Sequence, residues 1–242
     1  MRDYKQEKEK RVAFIRKQLE ESGATGLVFG NSGGKDCALV GILCKLACEN
    51  TVGLIMPCTS KCNYNEDMTD AMMISRLFRI EERMVDLTKT AEAILKPLKK
   101  AADITKAAEV NIAPRLRMTA LYAIAASENR LVAGTGNKSE RYMGYFTKWG
   151  DGAFDFNPIA DLTVTEIRKF LLYLDAPRRI IEKAPSAGLF DGQTDENEMG
   201  VTYKAIDEYL QSGVCAPEDM EIIANYHRIS EHKRNPPVVY EE

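Results

Sequence analysis

Hydrophobic positions along the chain follow two different spacings. Residues 2–22 are mostly charged or polar, with Val12, Ile15 and Leu19 three or four positions apart. That spacing puts the three on one helix face, and Gly23 supplies the stop. A short run, Leu27-Val28-Phe29, has the β-branched and aromatic character of a buried strand. It leads into Gly30-Asn31-Ser32-Gly33-Gly34-Lys35-Asp36, then into an Ala-, Leu- and Cys-rich stretch to Cys48 that reads as a helix. Thr51–Pro57 predicts a second strand, and Asn65–Phe78 a helix opening on acidic residues suited to a helix N-terminus. Arg83–Leu87 predicts a short third strand, followed by helices to about Ala108. A long helix spans Pro114–Ser127, and Leu131–Gly134 predicts a fourth strand running into Gly-Thr-Gly-Asn. Beyond Gly150 the pattern changes to loops and helices. Strands alternating with helices predict an α/β fold with a parallel, doubly wound sheet. No repeat, low-complexity tract or linker divides the chain, so residues 1–242 are expected to form one domain.

The segment 25–48 carries the first chemistry. A strand, a glycine loop and a helix N-terminus together bind phosphate, because glycines let the backbone approach the oxygens and the first amides of the helix point at the anion. A Walker A loop is excluded: Phe29 stands where its first glycine is needed, and Asp36 follows the lysine in place of Ser or Thr. Ser-Gly-Gly-x-Asp resembles instead the pyrophosphate loop of enzymes that split ATP into AMP and pyrophosphate. There a carboxylate after the glycines can hold the Mg²⁺ that bridges phosphate oxygens.

Composition narrows the setting. Of 242 residues, 45% are apolar and 29% charged, the balance of an ordinary soluble protein. With 33 Lys and Arg against 36 Asp and Glu the formal charge is −3, so no basic tract points to nucleic acid. No apolar run reaches the roughly 20 residues of a membrane span, and the first residues lack the apolar core of a signal peptide. Six cysteines in a chain of this length suggest a reducing compartment, and a cytoplasmic location is expected. Cys37, Cys44 and Cys48 fall near one helix face and read as small buried hydrophobes. Cys58 and Cys62 lack a second cysteine pair to complete a zinc site.

The later segments are denser in Gly, Asp and Lys than a plain core. Residues 134–158 read GTGNKSERYMGYFTKWGDGAFDFNP, 185–200 read PSAGLFDGQTDENEMG, and the tail carries Ser230-Glu231-His232-Lys233-Arg234. Taken in order with NIAPRLRM at 111–118, these motifs resemble the ammonia-dependent NAD⁺ synthetase family, from the glycine loop almost to the C-terminus. The resemblance implies a Rossmann-like fold of the adenine nucleotide alpha hydrolase type. It also implies a ligase acting in two steps. The nicotinate carboxylate of deamido-NAD⁺ attacks the α-phosphorus of ATP, and ammonia then displaces AMP from the acyl-adenylate. Only 29 residues precede Gly30, so no glutaminase domain is expected there and ammonia is the expected nitrogen donor.

The resemblance also assigns residues. Gly30, Asn31, Ser32, Gly33, Gly34, Lys35, Asp36 and Cys37 would wrap the ATP phosphates, with Thr135 and Ser186 also touching ATP. Asp36 and Glu140 would be the Mg²⁺ ligands. Arg115, Lys148, Asp155, His232 and Lys233 would contact deamido-NAD⁺, and Asp151 and Lys148 are the candidate catalytic residues. The loop over 185–200 is expected to act as a lid that keeps water from the adenylate. A homodimer with the dinucleotide site at the subunit interface is implied as well.

Three positions depart from the family pattern. Cys37 replaces a serine, Ser186 replaces a threonine, and Val164 stands where many members carry a lysine directed at ATP. Lys35 is expected to replace that lost charge in part. Two other readings remain open on the sequence: a non-catalytic nucleotide sensor derived from the family, and a different pyrophosphate-loop ligase or tRNA-modifying enzyme. Retention of Asp36, Glu140, Lys148, Asp151 and Asp155 opposes the sensor, and the acidic balance opposes a tRNA substrate.

Overall fold

The computed structural model describes residues 2–58, 66–185 and 194–241. Cys62, Ser186 and half of the expected lid, residues 186–193, lie outside these. Helix α1 (Tyr4–Ser22) starts at Asp3, whose carboxylate accepts from the amides of Lys5 and Gln6, and ends at Gly23 in the left-handed conformation. Ile15 is fully buried, and Val12 and Leu19 pack against the same core, as their spacing requires.

The sheet has four parallel strands: β1 (Gly26–Gly30), β2 (Thr51–Ile55), β3 (Glu81–Met84) and β4 (Arg130–Val132). Their spatial order is β3-β2-β1-β4, with Val28 paired to Val52 on one side and Val132 on the other. The connections are helices: α2 (Lys35–Ala47), α3 (Glu66–Leu77), then α4 (Thr88–Ala101), α5 (Lys106–Val110) and α6 (Ile112–Glu128). β1 is buried on both faces. Leu27 and Phe29 enter a core built with α1, α2 and the later helix that carries Ile167 and Phe170, and Val28 enters a second core beneath α4 and α6. Because the strand order reverses at β1, a crevice opens between the carboxyl ends of β1 and β4, where open α/β sheets bind ligands.

After β4 the chain forms α7 (Lys138–Met143), α8 (Val164–Tyr173), α9 (Arg178–Glu182), α10 (Asp195–Met199), α11 (Tyr203–Ser212), α12 (Pro217–Ile229) and α13 (Glu231–Arg234). A third core joins α7, the start of α8, α10, α11 and α12 through Met143, Val164, Met199, Ile206 and Ile223.

Several boundaries differ by one or two residues from those predicted: β2 ends at Ile55 and β4 spans Arg130–Val132, and two further shifts have a clear physical reason. β3 begins two residues earlier than Arg83 and ends at Met84. It is an edge strand with exposed side chains, so its apolar run, Val85 to Leu87, marks only where pairing with β2 trails off: Val85 donates to Ile55 and Leu87 to Pro57. Helix α6 begins at Ile112, and Pro114 fits in its first turn because no intrahelical amide is needed there.

Arg11 fastens α1 to the rest of the fold. Its guanidinium, 9% exposed, donates to the Pro158 carbonyl at 2.5 Å, to both Asp161 oxygens at 2.6 and 2.9 Å, and to Glu7 at 2.6 Å. Burial alone would raise the Asp161 carboxyl, but the hydrogen bonds and charge of Arg11, with Arg2, hold it below the usual range. A depressed carboxyl stabilises the fold above its unfolded pKa of roughly 3.9, and that contribution is lost as pH falls through the folded value. Arg11→Ala is expected to lower the unfolding free energy by about 2 kcal/mol at neutral pH. It should also weaken the acid dependence seen in urea titrations, and identical stability of variant and parent at both neutral and acid pH would refute the clamp.

Candidate active site

The crevice holds a cavity of about 950 Å³, at the upper end of the range for small-molecule sites. Its floor is the loop between β1 and α2. Gly33 has φ +74, and a Cβ there would collide with the Asp67 carbonyl and come within 2.9 Å of the Ala71 amide nitrogen. The loop is therefore laid against the first turns of α3, where only glycine fits. Asn31 makes the same attachment with its side chain. Its Nδ2 donates to the Ala71 carbonyl and the Ser75 hydroxyl, each at 3.1 Å, while its Oδ1 accepts from Gly33 N. Asn31 lines the cavity, but its amide is engaged with α3. No side chain caps the first amides of α2, which leaves a helix N-terminus suited to an anion.

Above the loop stand two carboxylates. Asp36 accepts from Lys35 Nζ at 2.8 Å and from Asn137 Nδ2 at 3.2 Å. Glu140 closes a capping box at the start of α7: Asn137 N donates to its Oε2 at 3.0 Å, and Glu140 N donates to Asn137 Oδ1 at 2.9 Å. Enclosure pushes the Glu140 carboxyl well above the usual range, the charge of Asp36 adds to this, and Lys35 opposes it. Two like charges crowded in an enclosed site need a cation. Thr135, from the segment after β4, faces the same cavity.

Asp151, His232 and Lys233 also line the cavity. Asp151 is open to the cavity yet walled by protein, and this enclosure raises its carboxyl, against the Thr147 amide bonded to it at 2.9 Å and the charges of Lys233 and Arg117. Lys233 donates to the Gly144 and Phe146 carbonyls, each at 2.8 Å, and burial lowers its ammonium. This corner is set by Gly144, with φ +64. A Cβ there would overlap Ser230, so the turn after α7 and the start of α13 pack against each other directly.

Arg115, Lys148 and Asp155 do not line this cavity. Lys148 donates to the His232 carbonyl at 2.7 Å and lies 5.5 Å from the Trp149 ring, and Arg115 donates to the Lys148 carbonyl at 3.3 Å. Asp155 accepts from Val132 N at 2.7 Å and from the Tyr122 hydroxyl at 3.2 Å. Further charged residues reach the cavity without an assignment from the sequence, among them Arg117, Lys183 and Asp195. Arg117, two positions beyond Arg115 in NIAPRLRM, donates to the Met56 carbonyl at 3.0 Å. Lys183, just before the 185–200 motif, bridges Asp67 and the buried Asp70, each at 2.8 Å. Asp195, inside that motif, accepts from Tyr203 at 3.0 Å, and its amide donates to the Pro185 carbonyl. Each lies within or beside a distinctive motif, which was the available signal.

Two of the departures from the family pattern lie within the described residues. Val164 is buried in the third core and is not part of the cavity wall, so the cation beside the carboxylates is Lys35, itself 4% exposed. Cys37 lies 3.2 Å from the Ser32 hydroxyl, and burial pushes its thiol up, against hydrogen bonds from Ser32. Alkylation with iodoacetamide at mildly alkaline pH is therefore expected to label Cys215 well before Cys37, as read by peptide mass spectrometry. Fast labelling of Cys37 would overturn this.

A family model described as NAD synthase matches residues 7–237. The NH₃-dependent NAD⁺ synthetase of Carboxydothermus hydrogenoformans is 47% identical over 240 residues, 98% of each chain. Among solved structures, NMN synthetase from Francisella tularensis overlaps all of both chains with a TM-score of 0.93 at 38% identity. An NH₃-dependent NAD synthetase from Campylobacter jejuni overlaps all of both chains with a TM-score of 0.79 at 32% identity. The parallel sheet and its switch point are thus those of the Rossmann-like adenine nucleotide alpha hydrolase arrangement. Agreement over nearly the whole chain, in sequence and in fold, places this protein in the NAD synthase family.

Proposed function

We propose that the chain amidates deamido-NAD⁺ to NAD⁺ with ammonia, splitting ATP into AMP and pyrophosphate. The observation that carries this reading is the convergence in one cavity of a phosphate-type glycine loop, the Asp36–Glu140 pair and the Asp151–His232–Lys233 corner. The loop, Thr135 and Lys35 would hold the ATP phosphates. Ser186 keeps its family assignment to ATP, with no described geometry.

A carboxylate oxygen of the nicotinate ring forms a bond to the α-phosphorus as the bond to the pyrophosphate oxygen breaks. Ammonia then forms a C–N bond at the activated carbonyl, AMP leaves with the former carboxylate oxygen, and one proton is released. Asp151, which lines the cavity and whose carboxyl is raised by enclosure, would accept that proton. The remaining contribution is positioning and charge neutralisation, with no covalent enzyme nucleophile.

The Asp36–Glu140 pair fits a magnesium ion: both groups are hard oxygen donors, and their mutual repulsion is the deficit a divalent cation would fill. Among the described residues no group of three or more His, Cys, Asp and Glu is arranged to hold a metal, so substrate phosphates would complete its ligands. When bound, the ion would neutralise the departing pyrophosphate.

Arg115, Lys148 and Asp155 then contact the substrate from outside the cavity, across a homodimer interface. Supporting this, α6 is apolar on nearly every face, yet Leu116, Tyr122 and Ile124 are only half-buried and Ala123 is exposed. Arg115 and Tyr122, seven residues apart, share that outward face. No helix among the described residues is long and apolar enough to cross a membrane, and the described cysteines are free, which suits the proposed cytoplasmic location.

One observation favours a second reading of the substrate. The overlap with an NMN synthetase is the higher of the two structural matches. By the same chemistry, the acid form of the mononucleotide would be amidated instead. Purified protein with ATP, Mg²⁺ and ammonium should produce AMP, pyrophosphate and amide in equal amounts from one of the two acids, and kcat/KM decides which. Pyrophosphate release with neither acid would refute the ligase. Asp151→Asn should lower the ammonia-dependent rate by about a hundredfold or more while leaving the KM for ATP within about threefold. A rate close to that of the parent would remove Asp151 from the mechanism.

A further inference from the structure

We infer that the Lys35 ammonium is the resident counter-ion of the Asp36–Glu140 pair, holding a divalent cation off these carboxylates until a nucleotide arrives to receive the ammonium. This rests on the assignment of the pair as the cation's ligands.

Lys35 occupies an unfavourable place. It is the first residue of α2, where the helix dipole opposes a positive charge, and it is 4% exposed, where desolvation opposes one too. Its ammonium is nevertheless seated directly against a carboxylate oxygen, and this salt bridge to Asp36 is what offsets both costs. Nζ sits 2.8 Å from Asp36 Oδ2 and 5.8 Å from the Tyr203 ring, so it is flanked by the carboxylate and the aromatic ring.

Both Asp36 oxygens are already engaged, and a cation has to displace one of two partners. Asn137 is fully buried and locked in the capping box of α7. Lys35 is carried on a flexible four-carbon stem at the cavity wall. Lysine is therefore the partner that leaves. Displaced from Asp36, its ammonium needs another anion, and a phosphate oxygen bound at the glycine loop would supply one. The nucleotide-free protein should accordingly bind divalent cations weakly, and nucleotide and cation should strengthen each other's binding.

The test is Mn²⁺ titration of the nucleotide-free, full-length protein, followed by electron paramagnetic resonance. Lys35→Met should bind Mn²⁺ about tenfold tighter than the parent once the competing charge is gone. Lys35→Arg, which keeps the charge, should stay as weak as the parent. Adding Asp36→Asn to Lys35→Met should abolish the gain. In the unmodified protein, saturating Mn²⁺ should raise acetylation of Lys35 by acetic anhydride, read by mass spectrometry, which covers the case of a variant that does not fold. Mn²⁺ affinity unchanged or weaker in folded Lys35→Met, a gain that survives Asp36→Asn, or Lys35 acetylation unmoved by Mn²⁺ would each overturn the inference. None of these readouts requires turnover, so they separate this inference from the proposed activity.

Discussion

The loop between β1 and α2 is held down by α3, and every distance in the cavity is measured from that contact. Gly33, in the left-handed region, brings the loop backbone against the Asp67 carbonyl and the Ala71 amide, and Asn31 adds two hydrogen bonds to the same helix. Helix α3 is itself tethered. Asp70, 1% exposed, accepts from Arg179 at 2.6 Å and from Lys183 at 2.8 Å. A buried carboxylate left without its cations would cost several kcal/mol, so these pairs fix the position of α3 more than they add net stability. One helix thus supports both the phosphate loop and the segment leading into residues 185–200.

The acidic groups Asp36, Glu140 and Asp195 each have a hydrogen-bond partner at the cavity. Asp36 meets Lys35 and Asn137, Glu140 meets the Asn137 amide, and Asp195 meets Tyr203. Enclosure pushes the Glu140 and Asp151 carboxyls up and the Lys233 ammonium down. Each of these shifts makes the charged form less comfortable before substrate binds. A ligand bearing phosphates and a carboxylate would relieve the cations, and a divalent ion would relieve the acids. Preorganisation of this kind suits a reaction that needs positioning and charge neutralisation more than a nucleophile.

Much of this was legible in the sequence. The strand–glycine loop–helix unit, the alternating α/β order and the motif series point to the family and the parallel sheet, because strand and helix periodicities and glycine requirements are local properties. The β3 boundary is not legible in the hydrophobic pattern, because an edge strand is defined by its pairing to β2 while its apolar residues follow it. Asn31 reads as a ligand contact by motif, yet its side chain is directed to α3, a partner forty residues away. Arg117, Lys183 and Asp195 went unassigned for the same reason: each sits in or beside a recognisable motif, but its place on the cavity wall depends on helices from elsewhere in the chain.

The sequence by itself determined the fold class, the family resemblance and which residue types were available for chemistry. Only the tertiary structure decided that Lys35 faces Asp36 across from Tyr203, that Val164 is core, and that Arg115, Lys148 and Asp155 stand outside the cavity. The physical reason is that patterning constrains which face of an element is apolar, whereas the direction of a polar side chain is set by partners distant in the chain. Those partners are brought within hydrogen-bond reach only when the layers close over the sheet.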